Sequence, residues 1–271
     1  MLRAHRRSSA RLVACLAAIA AMLSFAARAT DYTDIWWAGL SENGWGVNLV
    51  QNEDVVFATF YIYDASNQPT WYSSPMFVDA SGAYSGTLYL TTGPWFGGPW
   101  MGSAIATPVG TASFTPASAT TGTLAYTVDN ANGGSPVMET KSIQRTTFRP
   151  ISLAGNYAGT GLVTWSGCAD SGNNGTMRFD IDPQVTQPGG GALRIDFVYT
   201  AAGLACTMEG AAVQEGRLFR IPGAAYTCPT GTNTTATVYE MKATALGIEG
   251  RWTAKIGGGC QEDGSFAALR H

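Results

Sequence analysis

Two strings, M-R-F-D-I-D at 177–182 and L-R-I-D-F-V-Y at 193–199, decide the fold. In the first, Met177, Phe179 and Ile181 alternate with Arg178, Asp180 and Asp182. In the second, Leu193, Ile195, Phe197 and Tyr199 alternate with Arg194, Asp196 and Val198. A period of two sends one set to each face of a strand, so each segment has one buried and one wet face, as in antiparallel sheets. Ile248, Gly250, Trp252, Ala254 and Ile256 repeat the pattern against Glu249, Arg251, Thr253 and Lys255. The Gly189-Gly190-Gly191 run between the first two strings reads as a turn, because no helix and no Lys follows it as a phosphate loop requires.

Further segments near 156–165, 204–213, 216–221, 235–243 and 264–270 bring the second half to about eight strands. That number suits a closed up-and-down barrel, which leaves no exposed edge. Four cysteines lie in this half, Cys168, Cys206, Cys228 and Cys260, with no C-x-x-C pair and no histidine after residue 29 except His271. Two disulfides are therefore expected rather than a metal site, and no cofactor is implied. In an eight-stranded meander the first and seventh loops share one end, and strands one and eight are neighbours. Cys168 in the first loop and Cys260 in the last would lock the closure, leaving Cys206 to pair with Cys228 across the middle strands. A bridge closing so large a loop contributes roughly 4 kcal/mol in the chain-entropy account.

The first half offers strands near 44–51, 55–64, 69–77, 83–91, 108–115, 122–129 and 137–148, with turn residues at Asn52-Glu53-Asp54, Ala65-Ser66-Asn67 and Asp79-Ala80-Ser81-Gly82. In 55–64 both alternating sets are largely apolar, which implies a strand covered on both faces or one that lines an apolar interior while packing outward. The junction at Phe148-Arg149-Pro150 is short. The chain thus reads as all-β, with an aromatic-rich barrel or sandwich over 30–149 and a disulfide-stapled barrel over 150–271.

Residues 1–29 read as a secretory signal peptide: Arg3, Arg6, Arg7 and Arg11, an apolar stretch from Leu12 to Leu23, and Ala27-Arg28-Ala29 before a cleavage that leaves Thr30 first. Leu12-Val13-Ala14-Cys15 has the letters of a lipobox, but its apolar segment follows the cysteine instead of preceding it, so Cys15 is expected to leave with the leader. Without the leader's five arginines the formal charge of −3 becomes −8, which argues against a nucleic-acid binder. Beyond residue 30 no apolar run reaches the ~18 residues of a membrane helix, and short strands with charged wet faces do not suggest a membrane barrel. The expected location is periplasmic or secreted.

Six of the eight tryptophans fall within 30–149, with seven tyrosines and six phenylalanines. Trp36, Trp37, Trp45 and Trp71 are candidates for an aromatic ligand pocket, with Glu42 and Asn43 as its polar orienting groups; packing in a bulky β core is the alternative for each. Thr92-Gly-Pro-Trp-Phe-Gly-Gly-Pro-Trp100 is too rich in glycine and proline for a strand, so Trp95, Phe96 and Trp100 sit on a loop. There they either anchor a ligand or partner or fold back as a plug. Lys141, Arg145 and Arg149 recur every four residues, which places them on one strand face, expected to be the solvent-facing one.

The motifs W-W-x-x-x-x-E-N-G-W-G-V-N-L at 36–49, F-A-T-F at 57–60, Y-D at 63–64 and P-T-W-Y at 69–72 resemble a module widespread in exported proteobacterial proteins. The resemblance runs on through Gly93-Pro94, Val109-Gly110-Thr111-Ala112, the Gly122–Val128 strand and Lys141-Ser142-Ile143, covering roughly 34–148. It implies export and a β fold and carries no reaction. The second half is similar to lipocalin-like barrels in architecture only, with Gly155-Asn156-Tyr157 where those often carry G-x-W.

Catalysis has few means here. A hydrolytic triad lacks its histidine and a thiol enzyme its free thiol. Glycoside hydrolysis on carboxylates alone would need a pair such as Glu42 with Asp54, Asp64 or Glu139. The expected function is a non-catalytic, exported binding protein whose aromatic N-terminal half takes a small apolar or glycan-like ligand. The alternative is an envelope adhesin or enzyme inhibitor that engages a protein through the 92–102 loop.

Overall fold

The computed structural model describes residues 30–99, 101–129 and 135–271. The proposed leader with Cys15, and Trp100, lie outside the described residues. Among the described residues no helix is long and apolar enough to cross a membrane.

Eight antiparallel strands close the first barrel: β1 (Asp34–Trp37), β2 (Gly46–Asn52), β3 (Val55–Tyr63), β4 (Pro69–Val78), β5 (Tyr84–Thr92), β6 (Ile105–Pro116), β7 (Thr121–Val128) and β8 (Val137–Arg145). Seven match the alternation read from sequence. The eighth, β1, is only four residues long, and its tryptophans hide it among the ligand candidates. It closes the barrel against β8 through the Trp36–Arg145 and Trp37–Gln144 pairs. Val47, Leu49, Val56, Phe60, Met76 and Phe114 are among the side chains that fill the interior. On β3 the inward set Val56, Ala58 and Phe60 is buried, while the outward Phe57, Tyr61 and Tyr63 are exposed. The apolar outer set therefore packs against no other layer among the described residues.

The second barrel comprises β9 (Gly155–Ser166), β10 (Gly175–Gly189), β11 (Ala192–Tyr199), β12 (Leu204–Ala211), β14 (Leu218–Thr227), β15 (Asn233–Ala243), β16 (Gly247–Lys255) and β17 (Gln261–Arg270), with a short β13 (Val213–Glu215) beside β14. Two seams decide closure. The β9–β17 seam pairs ten residues, Tyr157–Ser166 with Gln261–Arg270, and Cys168–Cys260 bridges just beyond its end. The β12–β14 seam pairs only Thr207, Met208 and Glu209 with Thr227, Tyr226 and Ala225, and Cys206–Cys228 staples it. Both bridges are those expected from the meander.

Arg145 corrects the sequence reading. Its side chain faces the barrel interior together with Ile143, and it is buried. It donates from Nη1 to Asp34 Oδ2 at 3.0 Å and to Thr33 O at 3.1 Å, and from Nε to Ala119 O at 2.8 Å. Its guanidinium also lies 5.0 Å from the Trp36 ring centre. A strand period of two puts residues 141, 143 and 145 on one face, and the apolar Ile143 between the cations draws that face inward. The hairpin after β13 docks at this point: Arg217 N donates to Asp34 Oδ2 at 3.3 Å and Gly216 N to Thr147 Oγ1 at 2.7 Å. Gly216 has φ +64, and a Cβ there would meet Arg145 Cβ and Asp34 Oδ2 at 2.7 Å, so a side chain is barred twice over.

Candidate functional site

The second barrel is filled at one end and hollow at the other. Trp252, Phe197 and Phe266 pack together in its middle, with Phe197 tilted 5.4 Å from Trp252 and edge-on 5.2 Å from Phe266 between ring centres. A Cβ on Gly264 would fall 2.1 Å from the Trp252 ring, so a glycine in β17 is what lets that indole lie flat against the strand. Beside this layer stands Glu262, only 4% exposed, on the inward set of β17 with Gly264, Phe266 and Ala268. Trp252 Nε1 donates to its Oε1 at 2.8 Å, and Trp165 Nε1 donates to its Oε2 at 2.9 Å.

Above Glu262 opens a cavity of about 590 Å³, within the roughly 300–1,000 Å³ range of small-molecule sites. Trp165, Phe179, Tyr199, Leu204, Tyr226 and Ile256 supply apolar wall. Phe179 stands edge-on to Tyr199 at 5.2 Å and to Trp165 at 6.3 Å. Asn173, Thr230 and Thr232, from the loops at this end, add polar groups, Arg178 and Asp180 of β10 add an exposed pair 3.9 Å apart, and Cys206, Cys228 and Cys260 border the space. The staples thus sit where an open barrel end most needs them. Burial, reinforced by the Glu262 charge, pushes the Tyr199 phenol up to about 12. The same two causes, with a hydrogen bond to Glu262, hold Tyr226 protonated to still higher pH. Both phenols are neutral donors at physiological pH. Among the described residues no Lys or Arg ion-pairs with Glu262, and no cluster of three His, Cys, Asp or Glu could hold a metal ion.

Among the described residues, the aromatic side chains singled out in the first half do not form one pocket. Trp36 is fully buried; its indole donates to Tyr32 O at 3.0 Å and its ring meets Phe114 edge-on at 5.2 Å. With no accessible face it is a core residue, not a pocket wall. Trp37 is half-buried on the other face of β1. Glu42, on a 3-10 turn over Leu40–Glu42, accepts from Trp45 Nε1 at 3.0 Å and from Lys141 Nζ at 2.7 Å. Those two donors hold its carboxyl below the usual carboxylate range, so it is tied up as an anion and unsuited to be a general acid. Asn43 is exposed at the end of the same turn. Asp54 lies in the hairpin at the opposite end of the barrel, and Asp64 is occupied by Ser66 N at 2.8 Å and Gln68 N at 2.9 Å.

Trp71 points outward from β4, 53% exposed, opposite Tyr61 of β3. Trp95 and Phe96 are 77% and 93% exposed on the β5–β6 loop. The Trp95 ring folds over its own Gly97 and Gly98, where a Cβ would meet it at 2.4 and 2.9 Å. That loop and the Glu42 turn belong to the same end of the barrel, because connections in an antiparallel meander alternate between ends.

Sequence reasoning passed over Glu262, Trp165 and the cavity. The signal existed: carried back two residues, the inward series of Gly264, Phe266 and Ala268 places Glu262 inside the barrel. No protein-family model matches the chain, and no curated protein matches it either.

Proposed function

We propose that this is an exported, non-catalytic binding protein that holds a small, largely apolar ligand in the open end of its second barrel. The cavity between Glu262 and the disulfide-stapled loops carries this reading. Small barrels either fill their interior or keep room for one ligand, and a side-chain-lined space of this size is of the second kind. Export is supported by the two disulfides, which persist in oxidising compartments, and by the leader read at 1–29. The binding role assigned from sequence to the aromatic first half thereby passes to the second, since the first barrel's interior is occupied by its own side chains.

Native mass spectrometry of protein isolated without refolding tests this. A discrete small-molecule adduct is expected on the wild type and is lost in Leu204→Trp, which fills the cavity. A bare wild-type mass, or an adduct that survives Leu204→Trp, would overturn it.

A second reading, contact with a protein partner through the first barrel, is favoured by the outward series Phe57, Tyr61, Trp71 and Phe77 and by exposed Trp95 and Phe96. Exposed aromatic groups of this size are interface anchors. Its signature is a second polypeptide in the same spectrum, lost in Trp71→Ala or Trp95→Ala.

A further inference from the structure

We infer that the cavity selects an organic cation: an amine or quaternary ammonium group carried on an apolar body, with the charge seated at Glu262. The inference rests on the binding function proposed above and deepens it.

The first ground is the state of Glu262. Indole nitrogens only donate, so Trp165 and Trp252 use both carboxyl oxygens as acceptors, an arrangement that suits a carboxylate, whose oxygens only accept. Hydrogen bonds from neutral donors lower the cost of burying that charge without cancelling it. Among the described residues no Lys or Arg ion-pairs with Glu262; the one cation lining the cavity, Arg178, is an exposed side chain that stands 3.9 Å from Asp180, and Glu262 borders the cavity rather than a closed core. A carboxylate at the floor of a largely aromatic chamber, away from the exposed Arg178–Asp180 pair at its lining, favours a ligand that brings a positive charge to it.

The second ground is the wall. Trp165, Phe179, Tyr199 and Tyr226 surround the same space. Aromatic faces carry negative quadrupole potential, and several of them around one volume attract an ammonium group. Carboxylate and rings therefore favour the same sign of charge. An anionic ligand would meet repulsion from both, and a neutral one would forgo the charge-assisted contact.

Isothermal titration of the full mature chain at neutral pH uses three probes on one body, 1-naphthylmethylammonium, 1-naphthylmethanol and 1-naphthoate, with the phenyl analogues as a smaller set. The ammonium probe is expected to bind about tenfold or more tightly than the alcohol, with the carboxylate weakest. Glu262→Gln should bring the ammonium and alcohol affinities within about twofold of each other, while alcohol binding persists. Should that variant not fold, the wild-type order of the three probes decides alone. Equal binding of ammonium and alcohol, both abolished by Leu204→Trp, overturns the charge selectivity and leaves the binding function standing. Failure of every probe to bind overturns both.

Discussion

Trp165 and Glu262 face each other across the seam that closes the second barrel, as Cα partners on β9 and β17 and as donor and acceptor at 2.9 Å. The contact joins closure of the fold to the chemistry of its cavity. Trp252 takes the other carboxylate oxygen at 2.8 Å, so one side chain ties the seam on one side and the filled layer on the other.

Glu262→Gln keeps the shape but replaces an acceptor oxygen with an NH₂ group that faces an indole N–H. One buried donor is then left unsatisfied, at a cost of about 1–3 kcal/mol. The urea midpoint followed by tryptophan fluorescence should fall accordingly. An unchanged midpoint would show that the carboxylate contributes nothing to closure.

The two disulfides should differ in worth. Cys168–Cys260 spans 92 residues and Cys206–Cys228 spans 22. The chain-entropy account gives roughly 4.6 and 3.4 kcal/mol. Paired alanine replacement of the first should lower the guanidinium midpoint more than replacement of the second. The reverse order would mean that the three-residue β12–β14 seam depends on its staple more than the unfolded chain gains from losing it.

Strands and bridges were legible because they depend on local alternation and loop order. Leu193, Ile195 and Phe197 point inward wherever the strand lies, and Cys168 and Cys260 meet in any eight-stranded closure. Which barrel is hollow was not legible, because it depends on side-chain volumes summed around a closed ring. Both interiors read as the same apolar alternation. Trp36 and Trp45 drew attention by composition, yet burial splits them, one into the core and one to the mouth beside Glu42. Glu262, between Gln261 and Asp263 and next to a cysteine, looks like a turn acid until its register with Trp165 is known.

Arg145 and Lys141 have the same charge and the same strand face, but different surroundings. Arg145 is buried on Asp34 and two backbone carbonyls, where the hairpin of the second barrel docks. Lys141 meets Glu42 at the open mouth. Arg145→Met strands the partly buried Asp34 carboxylate and two backbone carbonyls, and should cost about 3 kcal/mol, a fall in Tm on the order of 6–12 °C. Lys141→Met should shift Tm by a small fraction of that, as exposed ion pairs do. Equal shifts in thermal unfolding would refute the assignment of Arg145 as the bolt between the barrels.

Alkaline stability carries a signature of the cavity wall. Tyr199 keeps its proton in the folded protein to about 12, whereas an unfolded tyrosine loses it near 10. Between those values the unfolded state binds fewer protons than the native one, so unfolding becomes easier as pH rises. Below about 10 both states are protonated and the residue adds no pH dependence. The urea midpoint of the wild type should therefore drop more between pH 8 and pH 11 than that of Tyr199→Phe, which has no proton to lose. Difference absorbance at 295 nm should show the matching phenolate appearing only towards pH 12. Parallel midpoints for the two proteins would mean that Tyr199 titrates as if in water, and that the wall it forms beside Glu262 is wet.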